Sequence, residues 1–308
     1  MQENSTEMKK ILITGSRGFL GSNLFFFLSK NKDFDLFLTS RTGNPGQDSE
    51  RFFSGDLLDK SFVKSIISRI EPDIVINTVS LVNVDLCEEK PDLAEKMIVS
   101  TAYNLAETVS DFNCRLIHIS TDQLFNGRKM MYSEEDTPSP LNVYGIMKLK
   151  AESYVNQLDP DSVIIRTNFF GWSPVYHPPT FAEWIFNSLV AKKPITLFTD
   201  LFFCPLEVSL LTELLEPVIL SDFNGILNIV GSERCSKYDF GMFLADKFYL
   251  DSTIITPSKV KVDSFKAKRQ SDLSLSIKKY ETLFHRKIPG LEESMSRFHH
   301  NRIIKSFI

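Results

Sequence analysis

The sequence predicts an α/β protein: a doubly wound, Rossmann-like parallel sheet carrying a smaller C-terminal substrate-binding lobe. Three observations predict it. Apolar, β-branched runs alternate with stretches long enough to hold crossover helices, a glycine-rich turn follows the first run, and beyond Asn168 the alternation gives way to proline-punctuated segments. Strands spaced by helices pair in parallel and are covered on both faces, so they read as continuous apolar runs.

The elements follow in order. KKILITG (9–15) reads as a buried strand, and the stretch from Ser22 to Lys30 has helical character. DLFLTS (35–40), DIVINTVS (73–80), RLIHIST (115–121) and SVIIRTN (162–168) are the next strands. Prolines at 174, 178, 179, 194 and 205 then interrupt the chain, with helix-like patterns at 180–191 and 208–220. GILNIVG (225–231) reads as one more strand rejoining the main sheet, and Ser236 with Asp239 forms a capping box opening a helix through about Phe248. The last dozen residues, with His299 and His300, read as a solvated tail. The expected domains are 1–170, rejoined by about 225–257, for dinucleotide binding, and 171–224 with 258–308 for the lobe.

The chain has 308 residues, 43% hydrophobic and 24% charged, a balance that excludes disordered and fibrous classes. With 35 Lys and Arg against 39 Asp and Glu, the net charge of −4 offers no basic field for nucleic acid. No apolar run is long enough to span a membrane. MQENSTEMKK lacks the apolar core of a signal peptide, and the four scattered cysteines show neither disulfide nor zinc spacing. A reducing cytoplasm is the expected location. The five histidines share no ligand-like spacing, so no metal is expected.

The first constellation is TGSRGFLG (14–21), in which Gly15, Gly18 and Gly21 form G-x-x-G-x-x-G between a strand and a helix. Glycines there permit a tight turn and the close approach of a pyrophosphate to the positive helix end. The alternative is an ordinary strand–helix turn. At the end of the second strand, where a carboxylate would select NADH by binding the ribose 2′-OH, the chain has Thr39, Ser40 and Arg41. Arg41 suits the 2′-phosphate of NADPH, unless it is simply a solvated arginine. Gly55, Asp56 and Leu57 place a carboxylate within reach of an adenine amino group, though G-D-L also occurs as a plain turn.

Tyr144 and Lys148 form Y-x-x-x-K, one turn apart on a helix face, where an ammonium would stabilise a phenolate and bring its pKa towards neutrality. In isolation it reads as a surface pair. Thr121, in the S-T-D that ends the strand upstream, faces the ligand crevice and offers a hydroxyl to a substrate oxygen, or merely caps the strand.

In this order the motifs resemble the extended short-chain dehydrogenase/reductase superfamily and, within it, the dTDP-4-dehydrorhamnose reductase family. The resemblance rests on TGSRGFLG (14–21), GDLLD (55–59), DIVINTVSLVNVDLCE (73–88), ISTDQLFNG (119–127), PLNVYGIMKLKAE (140–152), IIRTNFFGW (164–172) and GILNIVGSERCSKYDF (225–240). It covers nearly the whole chain. V-D-x-x-E at 84–88 favours this family over the sugar epimerases.

The resemblance implies Thr121, Tyr144 and Lys148 as the catalytic trio. It places Gly18, Phe19 and Leu20 on the cofactor pyrophosphate, Asp56 and Leu57 on its adenine, and Val79 and Ser80 on its middle portion. Tyr144 and Lys148 would also touch the cofactor, and Lys268 and Arg269 would approach substrate phosphates. The implied activity is NADPH-dependent reduction of the 4-keto group of a nucleotide-activated 6-deoxy sugar, with NADP as product cofactor, giving a deoxysugar donor for surface glycans. A nucleotide-diphosphate-sugar is the expected partner, and a homodimer is left open. The alternatives are a nucleotide-sugar epimerase or dehydratase, and a non-catalytic subunit resembling the methionine adenosyltransferase beta subunit. The chain departs from the family pattern at NTVS (77–80), at Gln123 in place of a tyrosine, at Gln270 in place of a proline, and at Ile98, where the family carries an asparagine supporting a proton-relay water.

Overall fold

The structure is a computed structural model that describes residues 8–43, 50–173, 178–261 and 265–305. Pro174 and His177 lie outside the described residues. The strands are β1 Lys9–Thr14, β2 Phe34–Ser40, β3 Phe52–Ser54, β4 Ile74–Asn77, β5 Arg115–Ile119, β6 Val163–Thr167, β7 Phe169–Phe170, β8 Ile195–Phe198, β9 Phe202–Phe203, β10 Leu206–Glu207, β11 Gly225–Ile229, β12 Cys235–Ser236 and β13 Ile255–Ser258. The helices are α1 Phe19–Leu28, α2 Lys60–Ile70, α3 Val84–Glu89, α4 Pro91–Ala94, α5 Thr101–Val109, α6 Val143–Leu158, α7 Phe181–Val190, α8 Val208–Leu220, α9 Lys237–Lys247, α10 Lys278–Phe284 and α11 Leu291–Lys305. A π-helical turn, Glu95–Ser100, joins α4 to α5.

Seven strands form one parallel sheet in the order β11-β6-β5-β4-β1-β2-β3. The two-residue period of a strand divides each apolar run between two layers. Ile11 and Ile13 of β1, Ile74 and Ile76 of β4 and Val163 and Ile165 of β6 pack with α1 and α8. Leu12, Val75 and Ile164 point the other way, into the layer built by α2, α5 and α6. Strand order reverses between β1 and β4, which opens the crevice where doubly wound sheets take ligands.

A third apolar cluster forms the smaller lobe, with Ile185 and Phe186 of α7, Leu197 of β8, Phe240 and Leu244 of α9, and Met295 and Phe298 of α11. β13 pairs with β8 there. Three sequence expectations change. Helix α8, grouped with the lobe, packs against α1 beneath the main sheet, because Leu211, Leu214, Leu215 and Val218 make a stripe that completes that core. Within 225–257 only β11 rejoins the sheet, while α9 and β13 pack on the lobe. The supposed tail is α11, whose Leu291, Met295 and Phe298 recur at i, i+4 and i+7 and are buried. The capping box at Ser236 and Asp239 forms as expected and starts α9.

Candidate active site

The glycine loop leaves β1 at the reversal of strand order. Gly15 has φ +66°, and a Cβ there would come within 2.9 Å of Thr78 Oγ1 and 3.0 Å of Val79 Cγ2. A Cβ on Gly21 would run into the Gly15 carbonyl, so this glycine lets α1 sit against the loop. No side chain caps α1 at Gly18, which leaves its positive end open to an anion.

Gly15, Arg17, Gly18, Ser40, Arg41, Asp56, Leu57, Val79 and Ser80 line one crevice with about 800 Å³ of open space. Seven of these the sequence had assigned to a dinucleotide. Thr39, to which the sequence assigned no role, lines it too, as do Thr78, Met97 and Thr101, which drew no role because lone residues of these types carry no motif. Phe19, Leu20 and Gly21 do not line it with side chains. Leu20 is buried in the core and Phe19 packs on Phe169, so they can offer only backbone N–H groups. The loop after β3 is held by Asn104 of α5, whose amide donates to the carbonyls of Leu57 (2.8 Å) and Leu58 (3.2 Å). Asp56 accepts from the Leu58 N–H at 3.0 Å.

Asn77 replaces a small residue of the family pattern and ties three strands together. Its Oδ1 accepts from Thr14 Oγ1 (2.9 Å) and from the Val79 N–H (3.1 Å), and its Nδ2 lies 3.1 Å from His118 Nδ1. Burial holds the His118 pKa well below the usual range, so the ring is neutral and its Nδ1 is free to accept. Ile98 is buried in the apolar layer behind the crevice, while its neighbours Met97 and Thr101 face it.

Tyr144 and Lys148 stand on α6, which Asn142 caps by accepting from the Gly145 N–H at 2.9 Å. A Cβ on Gly145 would strike the Gln123 carbonyl, so the glycine brings α6 against the segment after β5. That contact sets Tyr144 beside Thr121 and Ser80, whose hydroxyls pull the phenol pKa down, but burial outweighs them and raises it well above 10. Lys148 is 2% exposed, donates to the Ile119 carbonyl at 2.9 Å, and is lowered by burial to about 8. Burial is the largest influence on the phenol and acts against the lowering expected from the Lys148 ammonium.

A second pocket opens on the lobe side, lined by Gln123, Asn168, Trp184, Phe202, Lys237, Phe265, Arg269 and Gln270. Arg269 pairs with Asp85 at 2.9 Å and lies over the Phe265 ring. Lys268, paired with it in the sequence analysis, does not line the pocket; its side chain is exposed and only its carbonyl is used, accepting from Asn142 at 3.0 Å. Two departures from the family pattern meet here, since Gln270 Nε2 donates to the Gln123 carbonyl at 3.2 Å. Between the pockets, Thr121 donates to Asp122 (3.2 Å), which also accepts from Asn168 (2.5 Å).

A parallel sheet with a glycine loop at its reversal point and a Tyr–Lys helix at the next strand end define a short-chain dehydrogenase/reductase of the extended type. The model for the RmlD substrate binding domain matches residues 8–303. The chain belongs to that family, the one that contains dTDP-4-dehydrorhamnose reductases. It is 28% identical over 247 residues to the dTDP-4-dehydrorhamnose reductase of Aggregatibacter actinomycetemcomitans, covering 78% of this chain and 79% of that protein. It is 26% identical over 321 residues to mouse methionine adenosyltransferase 2 subunit beta, covering 96% and 90%. Among solved structures, a dTDP-4-dehydrorhamnose reductase from Bacillus anthracis in complex with NADP superposes with a TM-score of 0.82 at 22% identity, covering 96% of this chain and 99% of that one. No described helix is long and apolar enough to cross a membrane.

Proposed function

We propose that this chain is an NADPH-dependent reductase of the 4-keto group of a nucleotide-activated 6-deoxy sugar, making a deoxysugar donor for surface glycans. The observation that carries the reading is the position of Tyr144 and Thr121. The phenol has as neighbours both Ser80, which lines the glycine-loop crevice, and Thr121, which precedes by two residues the Gln123 of the lobe pocket. The crevice suits NADPH, with an uncapped helix end for pyrophosphate and Ser40 and Arg41, rather than a carboxylate, at the end of β2.

NADPH, when bound, supplies the hydride that reduces the carbonyl carbon. Thr121, whose hydroxyl donates to Asp122 in the free protein, would turn that hydroxyl to the carbonyl oxygen and orient the carbonyl. Tyr144, kept protonated by burial, would give its proton to the developing alkoxide and be reprotonated from solvent. Lys148, anchored to the end of β5 through Ile119, would hold positive charge beneath the reacting groups. Arg269 would meet substrate phosphate from the lobe side.

The full-length similarity to a methionine adenosyltransferase beta subunit supports a second, non-catalytic reading. One experiment separates them. Purified protein with NADPH and a dTDP-4-keto-6-deoxyhexose is expected to consume reduced nicotinamide and yield the reduced sugar nucleotide. No turnover across a panel of nucleotide 4-keto sugars, together with tight association with a methionine adenosyltransferase, would replace the enzyme reading with the regulatory one.

A further inference from the structure

Lys237, the first residue of α9, was read in the sequence only as part of a helix start. Among the described residues its ammonium has no hydrogen-bond acceptor and no ion-pair partner; it lies 3.2 Å from the centroid of the Phe203 ring and 4.7 Å from that of Phe181. Aromatic faces offset part of the cost of desolvating a cation but do not neutralise it. Asp122 is the carboxylate whose field the ammonium feels, yet the two do not reach ion-pair distance, and Asp122 is already taken by Thr121 and Asn168. The unpaired cation lines the lobe pocket beside the segment that carries Thr121.

The same pocket wall contains the buried side-chain Oε1 atoms of Gln123 and Gln270, which no group among the described residues satisfies. An unpaired donor and two unpaired acceptors in one pocket ask for a ligand that both accepts and donates. Phosphate oxygens at neutral pH only accept, whereas a sugar hydroxyl does both. Asp122, in whose field Lys237 sits, accepts from both Thr121 and Asn168, and Asn168 lines the pocket with Lys237, so the hydroxyl read is one close to the reacting carbonyl rather than one on the nucleoside.

We propose that Lys237 is a specificity residue, donating a hydrogen bond to a hydroxyl of the substrate's sugar ring. This rests on the reading of the site as a nucleotide-sugar pocket. Direct binding by calorimetry, in the presence of NADP, tests it with four probes: dTDP, dTDP-glucose, UDP and UDP-glucose. Lys237→Met is expected to weaken the sugar nucleotides ~10- to 100-fold, the worth of a hydrogen bond to a charged group, while changing the free diphosphates less than about 2-fold. Lys237→Gln keeps a donor without the charge and is expected to fall between. NADP affinity is the folding control and should not move.

Equal weakening of diphosphates and sugar nucleotides would assign Lys237 to phosphate and overturn the proposal. Unchanged binding of every probe in a folded Lys237→Met protein would do the same. Should that variant not fold, unaltered sugar-nucleotide binding by Lys237→Gln would also overturn it. If the wild-type chain binds none of the four probes, the nucleotide-sugar reading itself falls and takes this inference with it.

Discussion

Replacing Gly15 by alanine tests the turn on which the whole crevice is built. The residue sits at φ +66°, a conformation that costs an L-amino acid roughly 1–2 kcal/mol. The new methyl would lie 2.9 Å from Thr78 Oγ1 and 3.0 Å from Val79 Cγ2. Thr78 cannot simply rotate away, because its hydroxyl donates to the Thr14 carbonyl at 2.6 Å. Overpacking of this kind costs about 1–3 kcal/mol, so the sum is about 2–5 kcal/mol. Urea unfolding with an unchanged slope should report that loss as a lower midpoint. NADP affinity should fall as well, since Val79 and Gly18 move with the loop. The double substitution Gly15→Ala with Thr78→Ala removes the nearest obstacle and should recover part of the loss, leaving the backbone strain. A single variant as stable as wild type, or a double variant showing no coupling, would refute the packing argument.

Tyr144→Phe deletes one hydroxyl and little volume, so kcat should fall ~10²- to 10⁴-fold while NADP affinity and melting temperature stay close to wild type. Arg41→Ala should raise KM for NADPH more than for NADH, because only the former carries the 2′-phosphate; equal losses would free Arg41 of that role. For Lys148 the sign follows from burial, which lowers its pKa from 10.5 to about 8. Between those values the unfolded chain binds the extra proton, so the group makes stability rise with pH across that window, by at most on the order of 3 kcal/mol. Lys148→Met should flatten this part of the stability profile, as followed by urea unfolding at a series of alkaline pH values.

Local pattern determined the parallel sheet. Each strand from β1 to β6 that pairs in the centre carries apolar residues on both faces, and a run such as ILIT admits few other readings. The glycine loop and the capping box at Ser236 were equally legible, because backbone conformation and unsatisfied N–H groups impose them over a few residues. Residues lining the glycine-loop crevice followed from motif and strand order for Arg41 and Asp56, and from the family resemblance for Ser80.

What only the tertiary structure decided depends on groups far apart in the chain. The stripe on α8 is indifferent to its partner, and packing against α1 rather than the lobe is settled by which core has space for it. α11 is polar on most of its surface, and its few apolar residues became a core face once Phe170, Trp172 and Phe248 surrounded Phe298. Helix spacing alone could not weigh the burial of Tyr144, which raises the phenol against the pull of the nearby Thr121 and Ser80 hydroxyls. Lys237 became visible only when folding carried it to the Phe203 ring and the lobe pocket, because its lack of a partner among the described residues is a property of the space around it.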